Sequence, residues 1–254
     1  MAWWQATVLA ILEGLTEFLP ISSTGHLVLA SRIMGIVQSE FVKSFEIGIQ
    51  LGAILAVVGV YARQLWGKWE TVKKILVAFL PTGLIGFAAY GFLKKYVLGS
   101  SEIVAVMLIA GGGLMLWWEG HKWQENKTSV DELSWKKMLM IGLAQSTSMI
   151  PGVSRAMATI MGGMGAGLTR ASAVEASFLL AVPTMAAATG FDLIKTGGNF
   201  SPQEWGMLAW GALVAMGSAA LAIGWFLRWV KRRNMRLFAW YRIILGLVWI
   251  VFSR

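Results

Sequence analysis

Apolar residues along the chain gather into long runs parted by short polar turns. Six runs approach the about 20 mostly apolar residues that a helix needs to cross a bilayer. They are Glu46–Ala62, Ile75–Leu93, Ile103–Trp118, Ala176–Phe191, Trp205–Leu227 and Leu237–Ser253. Several sit at the short end and need flanking residues to complete the span. The last carries Arg242, which must snorkel or face the protein interior.

Two regions depart from this pattern. Ala2–Leu12 is apolar for 11 residues, then meets a polar stretch, and His26–Val37 is apolar again. Each arm is about 17 Å as a helix, roughly half of a hydrocarbon core. Pro20 lies between the arms and cannot continue a helix. The pattern predicts a re-entrant hairpin that dips to mid-membrane and returns. Met138–Ile150 and Ala156–Leu168 predict a second such pair around Pro151 and Gly152.

The hairpins read as copies. Pro20 is followed by Ser22 and Ser23, and Pro151 by Ser154 and Arg155. A Ser-Phe pair lies 24 residues after Pro20 (Ser44) and 26 after Pro151 (Ser177). The loops Arg63–Lys74 and Arg228–Arg236 are the most basic, which places both in the cytoplasm. Counting spans from them puts the first hairpin on the extracytoplasmic side and the second on the cytoplasmic side. The expected fold is therefore an all-α polytopic membrane protein: six transmembrane helices plus two re-entrant helical hairpins in an inverted repeat. Residues 1–254 form a single integral membrane domain, with halves 1–118 and 138–254 joined by a polar loop, 119–137. Broken helices of such repeats meet at the midplane, where substrate binds.

Composition agrees with this class. The chain is 57% hydrophobic and 14% charged, with 14 Trp and mean hydropathy +0.64, more apolar surface than a soluble domain of 254 residues can hide. It has no cysteine, hence no disulfide and no thiolate metal site. Met1 is followed by Ala2, Trp3 and Trp4 without the basic region of a secretory signal, so the N-terminal segment is expected to stay in the mature protein. The net charge of +9 sits in short basic runs between apolar segments, the pattern of cytoplasmic loops. No base-stacking or groove-reading motif accompanies it, which argues against a nucleic-acid partner.

The chemistry concentrates in Glu13–His26. Ionisable groups between apolar arms are expensive and mark function. Glu13 and Glu17, four apart, share a helix face. Two close carboxylates in a dehydrated site need a shared proton, an arginine or a divalent cation. After Pro20, Ser22 or Ser23 can cap the returning helix, whose free N–H groups then make an anion site. Ser154 and Arg155 repeat this after Pro151 with a guanidinium added. Two helix N-termini and an arginine suggest a phosphate or pyrophosphate ligand. His26, one turn after Ser23, is placed to act as base or leaving-group acid. Glu46 and Gln50 form another i,i+4 polar pair that either supports packing or lines the site. The glycine clusters 111–113 and 163–167 follow no strand and read as helix packing, not nucleotide loops.

At these residues the chain closely resembles the undecaprenyl-diphosphate phosphatase family, also called bacitracin resistance proteins. The matching segments are EGLTEFLPISSTGH (Glu13–His26), SFEIGIQLGAILAVV (Ser44–Val58), PGVSRAMAT (Pro151–Thr159) and ASFLLAVP (Ala176–Pro183). The resemblance implies a bacterial cytoplasmic-membrane hydrolase that removes the terminal phosphate of a C55 isoprenyl diphosphate, recycling the lipid carrier for wall polymers. It implies a divalent cation, Mg or Ca, and a site opening toward the extracytoplasmic side. The family's motifs fall on Glu13 and Glu17, on Ser22, Ser23, Thr24 and His26, and on Ser154, Arg155 and Thr159. Many members have serine where this chain has Ala156, which is therefore left out of the site.

The expected catalytic set is Glu13, Glu17, Ser23, His26 and Arg155. Ser22, Thr24, Ser154, Arg155, Thr159 and Gln145 are expected to bind the diphosphate, and Glu13 or Glu17 to hold the metal. Ser23 attacks the terminal phosphorus with Glu17 or His26 taking its proton, or a metal-activated water attacks instead. Expected partners are the polyprenyl diphosphate, the bilayer and a second copy of the chain as a homodimer. A transporter for a phosphorylated lipid is the rival class. The Glu-Glu-Ser-His cluster, which exceeds what anion binding requires, favours the enzyme.

Overall fold

A computed structural model describes residues 1–65, 67–92, 100–121 and 129–252. Trp66 in a predicted basic loop, the ends Leu93 and Ser253 of two predicted spans, and 122–128 of the predicted linker lie outside the described residues. The described residues form α1 (Trp3–Thr16), α2 (Ser23–Ile33), α3 (Glu40–Gly48), α4 (Gln50–Leu65), α5 (Trp69–Phe92) and α6 (Ser101–Glu119). They continue with α7 (Trp135–Ser146), α8 (Arg155–Gly165), α9 (Arg170–Thr196), α10 (Pro202–Val230) and α11 (Arg236–Phe252), and contain no strand.

Several helices outrun their apolar runs because polar caps carry them onward. Ser39, Thr169 and Ser201 accept the free N–H of Val42, Ser172 and Glu204, which starts α3, α9 and α10 well before the apolar residues begin. α3 and α4 run on through Ile49, whose backbone stays helical, so the predicted Glu46–Ala62 span is the second part of a longer one.

Five described segments are long and apolar enough to cross a membrane: Glu40–Ala62, Trp69–Ala89, Ser101–Glu119, Arg170–Asn199 and Pro202–Val230. The sixth predicted span falls on α11, of which 17 residues are described, and is not among these five. Outward-facing Leu84, Leu213, Leu221 and Val251 are exposed, while Glu13, Gln145 and Arg242 are fully buried. Apolar outside and polar inside is the distribution of a chain solvated by lipid. The protein is an all-helical, multi-pass membrane protein.

Lipid tails are as apolar as leucine, so helix association depends on close packing. Small residues supply it. A Cβ on Gly14 of α1 would lie 2.4 Å from the Ala215 carbonyl oxygen of α10, and one on Gly142 of α7 would lie 2.0 Å from that of Ala78 in α5. The clusters 111–113 and 163–167 pack likewise: Gly112 meets Ile243, and Gly163 meets Ala173. The α1–α10 and α5–α7 contacts, with those of α6 and α11, are among the most extensive in the fold.

The chain breaks twice, between α1 and α2 and between α7 and α8, and both breaks are built alike. Each ends in a serine in the left-handed region, Ser22 at φ 71° and Ser154 at φ 73°. Among the described residues these are the only non-glycines with positive φ. Each caps an 11-residue helix by accepting an N–H three residues on, from Gly25 or from Met157. Holding a non-glycine there costs about 1–3 kcal/mol and persists where the surroundings over-determine it.

Candidate active site

The first break carries the acidic residues because α1 runs past its apolar arm to Thr16, which sets Glu13 within the helix. Glu17 continues the turn, donating its N–H to the Glu13 carbonyl at 2.9 Å. Ser22, not Ser23, is the cap of α2, so Ser23 is its first helical residue and its hydroxyl points back to the acid. That hydroxyl donates to Glu17 Oε2. Glu17 Oε1 accepts both Nε and Nη2 of Arg155, each at 3.2 Å, from the first turn of α8. One buried carboxylate thus joins the serine of the first break to the arginine of the second, and the side chains of this ion pair are 7% and 8% exposed.

Arg155 is oriented from two further directions. Its Nη1 donates to the Ser177 carbonyl of α9 at 2.8 Å, and its guanidinium lies over the Phe18 ring at 5.8 Å. Thr159, one turn on, donates to Ser177 Oγ at 2.6 Å. The sequence pairing of Ser44 with Ser177 acquires a physical meaning in the second half only. Ser44 contacts the Thr196 hydroxyl instead, at 3.0 Å.

These groups face a cavity of about 430 Å³. Six of the expected residues line it: Glu17, Ser22, Ser23, Thr24, Ser154 and Arg155. The N-terminal turns of α2 and α8 therefore open onto one space, with their unpaired N–H groups and positive dipole ends. The lining also carries the apolar side chains of Phe79, Phe87, Met149, Ala187 and Ala188. The volume is within the 300–1,000 Å³ range of ligand sites.

Four expected residues stand behind the lining. Thr159 is 1% exposed and braces Ser177. Gln145 is fully buried, donating from Nε2 to Thr82 at 2.9 Å and Thr184 at 3.0 Å, so it ties α7 to α5 and α9. His26 is turned away from Ser23. Its Nδ1 lies 2.7 Å from the Ser22 carbonyl and its Nε2 2.7 Å from the Tyr241 hydroxyl of α11. The carbonyl can only accept, so Nδ1 carries the proton and Nε2 accepts from the tyrosine. Glu13 is fully buried, and among the described residues only the neighbouring Glu17 carboxyl, if it carries a proton, can donate to its oxygens. Its charged neighbours are Glu17, Arg155 and Glu46.

A carboxyl so placed requires a proton shared with Glu17 or a cation. Two carboxylates are a donor set that suits a hard divalent cation, which takes its remaining ligands from phosphate and water. Among the described residues no cluster of three or more His, Cys, Asp or Glu exists to form an all-protein cage. The i,i+4 pair splits: Glu46 accepts from Ser31 at 2.7 Å and joins α3 to α2, whereas Gln50 lines the cavity.

Sequence reasoning passed over Thr82, Thr184 and Asp192, which also line the cavity, and Tyr241. Asp192 falls just past the predicted run Ala176–Phe191 and enters a span only because α9 continues to Thr196. The threonines carried no signal, since their hydroxyls can return to their own helix, as Thr184 does to the Leu180 carbonyl at 2.7 Å.

The chain is similar to known proteins over nearly its whole length. The chain is 49% identical to an undecaprenyl-diphosphatase of Aquifex aeolicus (strain VF5) over 253 residues, 99% of each chain. It is 46% identical to an undecaprenyl-diphosphatase of Sulfurihydrogenibium sp. (strain YO3AOP1), covering 98% of each chain. One from Bdellovibrio bacteriovorus is 44% identical, covering 98% of this chain and 95% of the relative. A family model described as "Bacitracin resistance protein BacA" matches residues 6–248, from α1 through most of α11. The chain belongs to the bacitracin resistance protein BacA family.

Proposed function

We propose that this protein hydrolyses undecaprenyl diphosphate to undecaprenyl phosphate and phosphate, recycling the lipid carrier for cell-wall synthesis. Its family membership and relatives sharing 44–49% of its residues support that activity. The observation that carries the mechanism is the Ser23–Glu17–Arg155 chain lining the cavity.

Ser23 Oγ attacks the terminal phosphorus and its proton passes to Glu17 Oε2. The bond from that phosphorus to the bridging oxygen breaks, and undecaprenyl phosphate departs with the proton. Water then attacks the phosphoserine, Glu17 takes a proton from it, and Ser23 Oγ recovers one. Arg155 and the N–H groups of α2 and α8 stabilise the charge that accumulates on the phosphoryl oxygens. Glu17 serves as base because it already accepts the Ser23 hydroxyl; His26 holds the Ser22 carbonyl and steadies the break. A divalent cation held by Glu13 and Glu17 would neutralise phosphate charge. The apolar side chains of the lining take the first prenyl units.

The same reading has α1–α2 and α7–α8 as re-entrant hairpins in an inverted repeat, with α11 as a sixth span. Support comes from the matched serine caps and from helices α2 and α8, each about 16 Å long, half a hydrocarbon core. Equivalent pairs also pack alike, α1 on α10 and α7 on α5. Basic loops and the family resemblance favour the cytoplasmic membrane of a bacterium and a site open to its outer side.

The test is phosphate release from a long-chain prenyl diphosphate by detergent-purified protein, with magnesium and with excess chelator. Release that stops with chelator supports both the hydrolase and the cation. Tight lipid binding without release under any cation would overturn the hydrolase and favour the transporter.

A further inference from the structure

We infer that Arg242 is a positioning residue of the diphosphate site, a buried clamp that fixes the distance between the two helix breaks by binding the carbonyls behind them. Arg242 is fully buried in α11. Its Nη1 donates to the Pro20 carbonyl at 3.2 Å and the Val153 carbonyl at 3.1 Å. Its Nη2 donates to the Gly152 carbonyl at 2.8 Å and the Met107 carbonyl at 3.1 Å, and Nε to that of Leu108 at 3.4 Å. Nη1 also lies 3.2 Å from Met157 Sδ. None of these partners is a carboxylate.

A buried cation ordinarily pairs with an acid. Here it meets backbone oxygens, three of them from the two breaks. Where a helix is interrupted in lipid, the carbonyls before the break lose their partners and must find others. The N–H groups of the following helices face the cavity, so the carbonyls of Pro20, Gly152 and Val153 face the opposite way, toward α11. The planar fork, with five donors, can reach both breaks at once; an ammonium, a point charge with three donors, cannot. Gly111 of α6 makes room for it, since a Cβ there would lie 2.1 Å from Nη2.

The catalytic consequence follows from which break carries which group. Ser23 sits just after the first break and Arg155 just after the second. A change in their separation moves the nucleophile relative to the clamp on the phosphate. Misplacement by about 1 Å costs roughly 100-fold in rate. Prenyl contacts to Phe79, Ala187 and Ala188, which lie on α5 and α9, do not depend on that separation.

The inference rests on the proposed hydrolase site, so the parent and Arg155→Ala are measured alongside. Arg242→Lys and Gly111→Ala are purified in detergent, their folded fraction is read from thermal melts, and kcat is expressed per folded molecule. Gly111→Ala keeps every donor and acceptor and only displaces the guanidinium. The expected result is a fall in kcat of about 100-fold for Arg242→Lys, with KM within threefold of the parent. Gly111→Ala should shift kcat the same way. A residue that merely stabilises the fold would lower the melting temperature and leave kcat per folded molecule intact. That outcome, or failure of both variants to fold, overturns the inference. An Arg155→Ala protein with parental turnover would instead overturn the hydrolase site itself.

Discussion

Replacing Glu17 by Gln removes one charge and almost no volume, and the geometry dictates what is lost. Glu17 Oε1 accepts two N–H groups of Arg155, and Oε2 accepts the Ser23 hydroxyl. An amide has a single carbonyl oxygen, and the guanidinium, which can only donate, claims it. The amide NH2 then faces Ser23, whose oxygen becomes an acceptor, so its proton has nowhere to go. General-base assistance contributes about 10²–10⁴ in rate, which corresponds to roughly 2.7–5.4 kcal/mol of barrier. Neutralising one partner of so buried a pair also destabilises the fold, toward or below the low end of the about 3–5 kcal/mol for outright removal. Turnover must therefore be scored per folded molecule. The assay is phosphate release at saturating prenyl diphosphate, with the folded fraction taken from a melt in the same detergent. Glu17→Gln should lose at least about 100-fold in kcat, while KM changes far less. A variant turning over within threefold of the parent would refute the role of Glu17 as base.

Ser23→Ala removes the nucleophile without disturbing the Ser22 cap, and its turnover should drop to background; substantial remaining phosphate release rules out the serine route and leaves attack by water. Gln145→Met removes the hydrogen bonds to Thr82 and Thr184, whose hydroxyls keep their carbonyl partners, so the melting temperature should fall by an amount matching about 0.5–1.5 kcal/mol per bond. Because Gln145 does not reach the cavity, KM should stay near the parent's, and a large rise in KM would place it on the diphosphate after all. Tyr241→Phe deletes one hydrogen bond to His26, worth about 0.5–1.5 kcal/mol, so kcat/KM should fall no more than about tenfold. A loss of several hundredfold would show that His26 takes part in the chemistry directly.

The local features of the site were readable because each has a sequence cause. Short apolar arms around Pro20 and Pro151 locate the breaks, and an i,i+4 spacing puts Glu13 and Glu17 on one face. What escaped the sequence was long-range. Ser22 and Ser23 are indistinguishable as caps until the left-handed backbone at Ser22 assigns one to the cap and the other to the acid. His26 is one turn from Ser23 along the chain, yet its Nε2 is claimed by Tyr241, 215 residues away. Gln145 resembles a ligand residue by its proximity to Pro151, but α5 and α9 close over it. Arg242 was recognisably a buried cation, whereas its carbonyl partners, drawn from three separate segments, were not visible in any spacing. Helix ends were misjudged where a cap residue, not apolarity, sets the start.

In the proposed mechanism, two distant breaks in the chain form one phosphate-transferring site. Arg155 is the charged side chain that the second break contributes to the cavity, so its removal tests that arrangement most directly. Phosphate release from a long-chain prenyl diphosphate is compared for the parent and Arg155→Ala, each corrected for its folded fraction. Releasing the phosphate clamp should lower kcat/KM by about 10²–10³-fold, the effect of losing one donor to the developing phosphoryl charge. Release within threefold of the parent would mean that the second break stands outside the chemistry and would contradict the account.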